Sequence, residues 1–323
     1  MTEERKMDPA ALAAPTLTQR EIDQRVFDLY DDYCHGHIDR REFLQRASAL
    51  TVGGVSALAM AQALLPRYAA AQTVSFTDQR IKAKYVAYQS PGGTSGTMRG
   101  YLVQPNAQGP FPAVLVIHEN RGLNPYLEDV ARRVATEGFL ALAPDGLSPV
   151  GGYPGNDDDG RTLQAGLDQA KLRTDMVNSA RYLKGLALSS GKLGVTGFCW
   201  GGSTTNFLAV TLGAEMKAGV PFYGAAAETA RVPEIKAPLL IQYAENDERI
   251  NTMWPAFETA LNAAGAPHEM HKYPGHAARL PQQLDAALSR GVGQAGLGAN
   301  DRVLQEAPGM SPRSVGVSGG IRA

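Results

Sequence analysis

Short apolar runs alternate with amphipathic segments through the middle of the chain. Continuous apolar runs bounded by turn residues are typical of strands buried on both faces of a parallel sheet. Such runs occupy residues 113–117, 139–143, 193–196, 218–224 and 238–244. Between them, residues 126–137 and 163–186 carry apolar positions at helical spacing, and each stretch predicts one helix. This alternation predicts an α/β fold with a doubly wound, mostly parallel sheet and helices on both faces.

The flanking segments add strands and one loop to this pattern. Residues 81–88 and 98–104 are strand-like and are separated by the glycine-rich turn 92–96, which predicts an antiparallel hairpin. Residues 268–273 alternate between polar and apolar side chains and predict a last strand. The glycine- and aspartate-rich stretch 151–160 predicts a mobile loop.

Length, charge and cysteine content narrow the functional classes. A chain of 323 residues can bury the core of one large α/β domain with appendages. The formal net charge of −1 does not favour a nucleic-acid partner. The two cysteines, Cys34 and Cys199, form no CxxC pair, so the thiols predict neither a metal site nor a redox pair. We therefore expect no metal and no organic cofactor.

The N-terminal residues resemble a twin-arginine export signal. The sequence DRREFLQR at residues 39–46 precedes an alanine-rich apolar run at 47–65, and small residues at 69–71 suit cleavage. The run contains two glycines and a glutamine, so it is too weakly apolar for a stable membrane anchor. We expect residues 1–71 to be a removable signal, recognised by the twin-arginine export machinery, and the protein to be periplasmic or secreted. The alternative is a cytosolic amphipathic helix with a chance arginine pair.

A candidate nucleophile lies in the sequence Gly197-Phe198-Cys199-Trp200-Gly201, directly after an apolar run. Glycines two residues before and two after a nucleophile describe the strand-turn-helix elbow of α/β-hydrolases, here with Cys instead of Ser. The turn is tight enough that side chains at the flanking positions would collide, and the helix start directs N–H groups at the nucleophile. The alternative is a buried structural cysteine beside a glycine turn.

The other members of a catalytic triad must follow in the order acid, then histidine. Asp247 follows the apolar run 238–244, where catalytic groups collect in parallel sheets, although it could instead cap the segment from Thr252. Glu245 and Glu248 compete for the same role. His276 follows the turn Tyr273-Pro274-Gly275 and is the candidate general base, whereas His268 and His271 fit half-exposed positions of a strand.

Four motifs in order resemble the dienelactone hydrolase family: GFCWGG at the elbow, Pro144-Asp145 after the second parallel strand, the Asn246-Asp247 loop, and Tyr-Pro-Gly before the histidine. The resemblance spans roughly residues 76–276 and implies an α/β-hydrolase domain over residues 72–275. It also implies hydrolysis of a small, dienelactone-like ester or lactone through a thioester on cysteine. Two alternatives stay open: a carboxylesterase or thioesterase of the same fold, and a catalytically impaired relative.

The same resemblance implies further site residues. Glu119 matches a family glutamate at the end of the first parallel strand that interacts with the resting cysteine, although it could be a solvated loop carboxylate. The oxyanion hole would be the backbone N–H groups of Trp200 and Asn120. His118 fits a strand-end residue better than a catalytic one.

The stretch after Gly275 departs from the family, which continues with a histidine loop rich in aromatic residues and a tryptophan-containing terminal helix. Residues 276–323 are poor in aromatic residues and show no convincing final helix. Codons allowed for residues 276–288, read one base later, spell Thr-Gln-His-Gly-Phe-His-Asn-Asn-Ser-Thr-Pro-Arg followed by Tyr. The same shift over residues 293–308 can spell a helix containing Ala-Trp-Glu-Arg. The sequence thus predicts an out-of-frame tail, in which His276 occupies its place by accident.

Overall fold

The computed structural model describes residues 73–273 continuously, together with residues 29, 32, 38, 40–49, 51–52 and 55–56. Near the N-terminus, helix α1 (Arg40–Ser48) contains the paired arginines, and strands β1 (Thr51–Val52) and β2 (Val55–Ser56) pair antiparallel. Phe43 and Ala47 of α1 are fully buried, and the Arg161 guanidinium donates to the Ile38 carbonyl at 3.4 Å. Among the residues described, no helix combines the length and the apolar character that crossing a membrane requires.

One eight-stranded sheet forms the centre of the domain, in the order β10-β9-β8-β7-β5-β6-β4-β3. Its strands are β3 (Ile81–Ser90), β4 (Gly96–Pro105), β5 (Phe111–Ile117), β6 (Leu140–Asp145), β7 (Ser189–Phe198), β8 (Ala218–Phe222), β9 (Leu239–Ala244) and β10 (His268–Tyr273). All neighbours from β6 to β10 pair parallel, whereas β3, β4 and β6 pair antiparallel. The predicted mostly parallel sheet and the antiparallel hairpin are confirmed.

The connecting helices are α2 (Pro125–Thr136), α3 (Asp157–Ala165), α4 (Gln169–Gly185), α5 (Trp200–Leu212), α6 (Glu248–Asn251) and α7 (Trp254–Ala263). The prediction of one long helix over residues 163–186 is wrong. Asp168 instead caps the start of α4 by accepting from the N–H groups of Ala170 and Lys171. The predicted loop 151–160 is also shorter than expected, because Asn156 caps α3 and its side chain accepts from the Asp159 N–H.

Two apolar cores lie on opposite faces of the sheet. The first joins α4, α5 and α7 to side chains such as Leu115, Val195 and Ile241. The second joins α2 to the alternate positions of the same strands, including Val114, Val116 and Leu240. Because successive strand residues point to opposite faces, a continuous apolar strand serves both cores. Helices on both faces, as predicted, are confirmed.

The strand order reverses between β5 and β7, because the chain proceeds from β5 to β6 on one side and then to β7 on the other. In open parallel sheets the crevice outside the carboxyl ends at such a reversal is where ligands bind. Glu119 follows β5 and Cys199 follows β7, so the topology brings these two residues to one crevice.

Candidate active site

Cys199 stands on a sharp turn between β7 and α5. Its φ of 51° and ψ of −110° lie in a region that non-glycine residues seldom adopt. A Cβ on Gly197 would lie 2.4 Å from the Gly201 carbonyl oxygen, and one on Gly201 would lie 2.4 Å from the Ile117 carbonyl oxygen. A Cβ on Gly202 would lie 2.3 Å from the Phe222 carbonyl oxygen. The structure has the strand-turn-helix geometry that the glycine spacing predicts.

The thiol of Cys199 is held in its neutral form. Burial and the negative charge of Glu119 raise the pKa of the thiol to about 12, against the opposing influence of Arg121, Arg249 and a hydrogen bond from the Trp200 N–H. A thiolate is the reactive form of a cysteine, so these surroundings disfavour reaction at the sulfur. Any reaction of Cys199 as a nucleophile would first require this restraint to be relieved.

Two side chains fix the carboxylate of Glu119. The Tyr223 hydroxyl donates to Oε1 at 2.8 Å, and Nε of Arg121 lies 3.8 Å from Oε2. The carboxylate is one-fifth exposed, so this end of the crevice is only partly closed to water. Glu119 is therefore held by specific partners, and the interpretation as a solvated loop carboxylate is not supported.

Arg121 is itself held by Asp157, the first residue of α3. Its Nη1 donates to Oδ2 of Asp157 at 3.0 Å, and the Tyr153 hydroxyl donates to Oδ1 at 2.8 Å. Both side chains of the Arg121–Asp157 pair are almost fully buried. A Cβ on Gly160 would lie 2.3 Å from the Arg121 carbonyl oxygen, so α3 packs directly onto the loop that carries Glu119. The glycine-rich connection therefore supports the site.

His118 is a structural residue, as its sequence context favours. Its Nε2 accepts from the Gly146 N–H at 3.0 Å, so the proton resides on Nδ1, which donates to the Glu119 carbonyl oxygen at 2.5 Å. The ring stacks on Trp200 at a centroid separation of 5.5 Å. Burial lowers the pKa of this histidine to about 4, which keeps it neutral. With both nitrogens engaged, His118 fixes the start of the loop that carries Glu119.

Asp247 lies after β9, at the same edge of the sheet as Cys199, and is almost fully buried. Its Oδ1 accepts from the Ile250 N–H at 3.1 Å and caps α6, which begins one residue later than the aspartate and not at Thr252. Glu245 and Glu248 are exposed. The role of Asp247 in orienting a histidine stays a prediction, because His276 lies outside the described residues.

The other two histidines and the two predicted oxyanion-hole residues lie near the ends of strands or in strand β10. His268 and His271 lie on β10, where Nδ1 of His268 bonds to the Ala266 carbonyl and His271 contacts Glu269 at 2.8 Å, as expected of strand residues. Trp200 is the first residue of α5, and Asn120 lies half-buried in the loop after β5. Their oxyanion role stays a prediction.

Sequence reasoning missed Tyr223, Arg121 and Asp157. Tyr223 appeared as an ordinary strand residue, but β8 ends at Phe222 and Tyr223 adopts a φ of 37°. A signal was available for Arg121, since a charged residue directly after a central strand is expected at the crevice. For Asp157 no such signal existed, because its contact with Arg121 spans 36 positions along the chain.

Comparisons with known proteins give the same picture of the domain. The sequence profile of the Dienelactone hydrolase family matches residues 98–287, and a second profile, described as YqhI-like, matches residues 14–52. "Putative hydrolase fragment YghX" of Escherichia coli is 62% identical over 115 residues, which cover 35% of this chain and 97% of that protein. "Putative carboxymethylenebutenolidase" of the same organism is 31% identical over 230 residues, 64% of this chain and 82% of that protein.

The fold also resembles solved structures. The crystal structure named "Putative Dienelactone Hydrolase" of Klebsiella pneumoniae superposes with a TM-score of 0.55 and 25% identity, and the match covers 66% of this chain and 99% of that one. A thermostable esterase of Pseudomonas putida gives a TM-score of 0.54 at 13% identity, covering 88% of this chain and 99% of that one, which supports the fold alone.

Proposed function

Because the chain belongs to the dienelactone hydrolase family and is a carboxylic ester hydrolase, we propose that it cleaves a small ester or lactone with Cys199 as the nucleophile. The observation that carries this proposal is the conformation of Cys199 at the strand-turn-helix elbow, with the Trp200 N–H directed at its sulfur. A dienelactone-like substrate follows from the named relatives and is part of the proposal.

The proposed reaction has two halves. The sulfur of Cys199 attacks the carbonyl carbon while its proton passes to the His276 imidazole of the predicted triad, which Asp247 orients. The N–H groups of Trp200 and Asn120 stabilise the resulting oxyanion, the C–O bond breaks, and the proton goes to the departing alkoxide. Water then attacks the thioester, releasing the acid and restoring the thiol. A lactone gives one ring-opened product, since its alcohol and acid belong to the same molecule.

Burst kinetics test the nucleophile. Rapid mixing with an activated aryl ester is expected to release one equivalent of phenol per site before the steady state, because acylation of Cys199 by an activated ester precedes a slower hydrolysis of the thioester. Cys199→Ser and prior alkylation with iodoacetamide should each abolish the burst, whereas Cys34→Ser should leave it intact. A burst that survives Cys199→Ser would contradict the assignment.

A second candidate is a carboxylesterase or thioesterase with the same catalytic machinery, since the residues around Cys199 do not themselves select a leaving group. Rates on matched lactone, aryl ester and acyl thioester substrates separate these candidates. A kcat/KM for the lactone at least tenfold above the other two would support the dienelactone-like assignment.

The third candidate is an impaired enzyme, because residues 276–323 are proposed to be read out of frame. This part of the chain lies outside the described residues, and the match to the family profile extends to residue 287, twelve residues beyond Gly275. Sequencing of the gene across the Gly275 codon tests the proposal, which fails if no extra base is present in a set of related genes that share this tail. A burst from the frame-restored chain, but not from the printed chain, would support impairment.

For location, we propose export through the twin-arginine route and removal of residues 1–71. The N–H groups of Thr73 and Val74 donate to Asp129 at 3.0 and 2.8 Å, so the mature domain is anchored directly after the proposed cleavage site. Fractionation of cells that express the full chain should place the mature protein in the periplasm. The variant Arg40→Lys/Arg41→Lys should retain it inside the cell, and equal export of both would contradict the proposal.

A further inference from the structure

We propose that Tyr223 is a positioning residue that fixes the Glu119 carboxylate in the crevice that carries Cys199 and thereby sets the reactivity of the thiol. The inference deepens the proposed function, since it assumes that Cys199 is the reactive group of the site. Two geometrical observations carry it: the hydrogen bond from the Tyr223 hydroxyl to Glu119, and the backbone conformation that aims this side chain.

The backbone at Tyr223 is strained in a way that the surrounding structure enforces. Its φ of 37° lies in the left-handed region, which costs a residue with a Cβ about 1 kcal/mol or more. The Tyr223 N–H donates to the Gln242 carbonyl at 2.8 Å, and a Cβ on the following Gly224 would lie 2.2 Å from Gly202. Contacts on both sides therefore fix the backbone of this turn. As a result, the buried Tyr223 side chain, one residue beyond the end of β8, lies within hydrogen-bond distance of Glu119.

The position of Tyr223 links the two elements of the crevice. Its hydroxyl donates to Oε1 of Glu119 at 2.8 Å, although the two residues are 104 positions apart in the sequence. Burial and the neighbouring Glu119 charge raise the pKa of Tyr223 well above its ordinary value, so the hydroxyl remains a donor. Without this bond, the nearest described partner of the carboxylate is Arg121, at 3.8 Å and already bound to Asp157 at 3.0 Å.

The charged and titratable groups that act on this site come from four elements. Glu119 and Arg121 lie in the loop after β5, Tyr126 on α2, Tyr223 after β8 and Arg249 on α6. Of these, Glu119 is the only anion that raises the pKa of Cys199 among the influences identified in the described part of the chain. A residue that fixes Glu119 thus controls the main local charge that opposes thiolate formation.

The expected effect of Tyr223→Phe follows from releasing the carboxylate. Glu119 then exchanges its fixed hydrogen bond for water and spends time away from the sulfur, so the thiol pKa falls by roughly one unit. The thiolate fraction at pH 8 rises about tenfold for each unit, while the intrinsic nucleophilicity of the thiolate falls in part. We expect alkylation by iodoacetamide to accelerate about three- to tenfold. Glu119→Gln, which removes the charge, should accelerate it more.

The experiment measures the second-order rate of Cys199 alkylation at pH 8 by mass spectrometry, in a Cys34→Ser background. It compares Tyr223→Phe, Glu119→Gln and the double variant. If Tyr223 acts through Glu119, the double variant should react within twofold of Glu119→Gln alone. The matched control is Tyr88→Phe, which also removes a buried tyrosine hydrogen bond, to Ser179 at 2.7 Å, away from the thiol. This control should react like the parent protein.

Three results would overturn the inference: an unchanged or slower rate in Tyr223→Phe, an equal acceleration in Tyr88→Phe, or a further acceleration by Tyr223→Phe in the Glu119→Gln background. Thermal unfolding of each variant verifies that the rates refer to folded protein. Glu119→Gln removes the negative charge but keeps an oxygen that can accept the hydrogen bond from Tyr223. Alkylation needs neither the histidine nor a substrate. A missing burst with this alkylation pattern intact would therefore defeat the proposed function and leave the inference standing.

Discussion

Two buried arginines, Arg121 in the loop after β5 and Arg132 on α2, have similar surroundings but different roles in the molecule. Arg132 on α2 is 1% exposed and lies 3.5 Å from Asp129 and 3.9 Å from Glu128. Arg121 is 2% exposed and lies 3.0 Å from Asp157 and 3.8 Å from Glu119. Each guanidinium therefore balances two carboxylates in a place that water hardly reaches.

The difference lies in what the partners do. Nε of Arg132 donates to the Val74 carbonyl at 2.7 Å and Nη1 donates to the Tyr101 hydroxyl at 3.2 Å, so this cluster fastens the first described segment of the domain to α2 and β4. Of the carboxylates near Arg121, Glu119 contributes a negative charge that acts on the Cys199 thiol. The same ion-pair chemistry thus serves assembly in one place and, under the proposed function, the reactivity of the thiol in the other.

The largest effect is expected from Arg132→Met. Removing one member of a buried ion pair leaves an uncompensated carboxylate, so we expect a loss of about 3–5 kcal/mol in the free energy of unfolding. The alkylation rate of Cys199 in folded protein should not change. Urea unfolding at pH 7 measures the loss, with Arg80→Met as control, since an exposed pair such as Arg80–Asp78 contributes at most about 1 kcal/mol. Equal losses of unfolding free energy in Arg132→Met and Arg80→Met would contradict the prediction that the buried pair matters more.

Arg121→Met should have a smaller effect on stability and a distinct effect on reactivity. Asp157 keeps the Tyr153 hydroxyl, so we expect a loss of about 2–4 kcal/mol. Removing a cation that favours the thiolate should also raise the Cys199 pKa by about one unit and slow alkylation at pH 8 roughly three- to tenfold. The direction is opposite to that expected for Tyr223→Phe. If Arg121→Met left the alkylation rate of Cys199 unchanged, as is expected for Arg132→Met, the Arg121 and Arg132 clusters would not differ in their effect on the thiol.

Asp145 extends the comparison to a buried carboxylate that is held by backbone N–H groups, including that of Leu147 at 3.1 Å. In residues 73–273 no arginine forms an ion pair with it, and burial raises its pKa from 3.8 to about 6. The folded state then binds the proton more tightly than the unfolded state, so this group adds stability as the pH falls from 6 towards 4. Neutral His118, whose pKa is lowered from 6.5 to about 4, removes stability over the same interval.

The two contributions oppose each other, and Asp145→Asn removes only the first. We expect the variant to lose about 1–2 kcal/mol more than the parent between pH 6.5 and pH 4.5. Unfolding in urea at a series of pH values measures this difference, and parallel stability profiles for the variant and the parent would contradict it. Among the effects expected here this is the smallest.

Much of the sheet was predictable because a strand buried on both faces needs a continuous apolar run. The runs at 113–117 and 238–244 correspond to β5 and β9 with boundaries shifted by at most two residues. The elbow was predictable for an equally local reason, since glycines at positions 197 and 201 are the only residues that the turn can accommodate. The division of the predicted long helix into α3 and α4 was missed, because the capping by Asp168 competes with a helical pattern that continues through it.

The sequence by itself determined the place of the elbow and of its candidate nucleophile, because both depend on residues that are adjacent in the chain. The tertiary structure decided what surrounds that candidate nucleophile. The contacts of Glu119 with Tyr223 and of Arg121 with Asp157 join residues 104 and 36 positions apart, and no local pattern specifies such pairs. They exist because the reversal of strand order at β5 and β7 brings separate loops to one crevice. Burial there excludes most water, so the charged and polar side chains are held by one another.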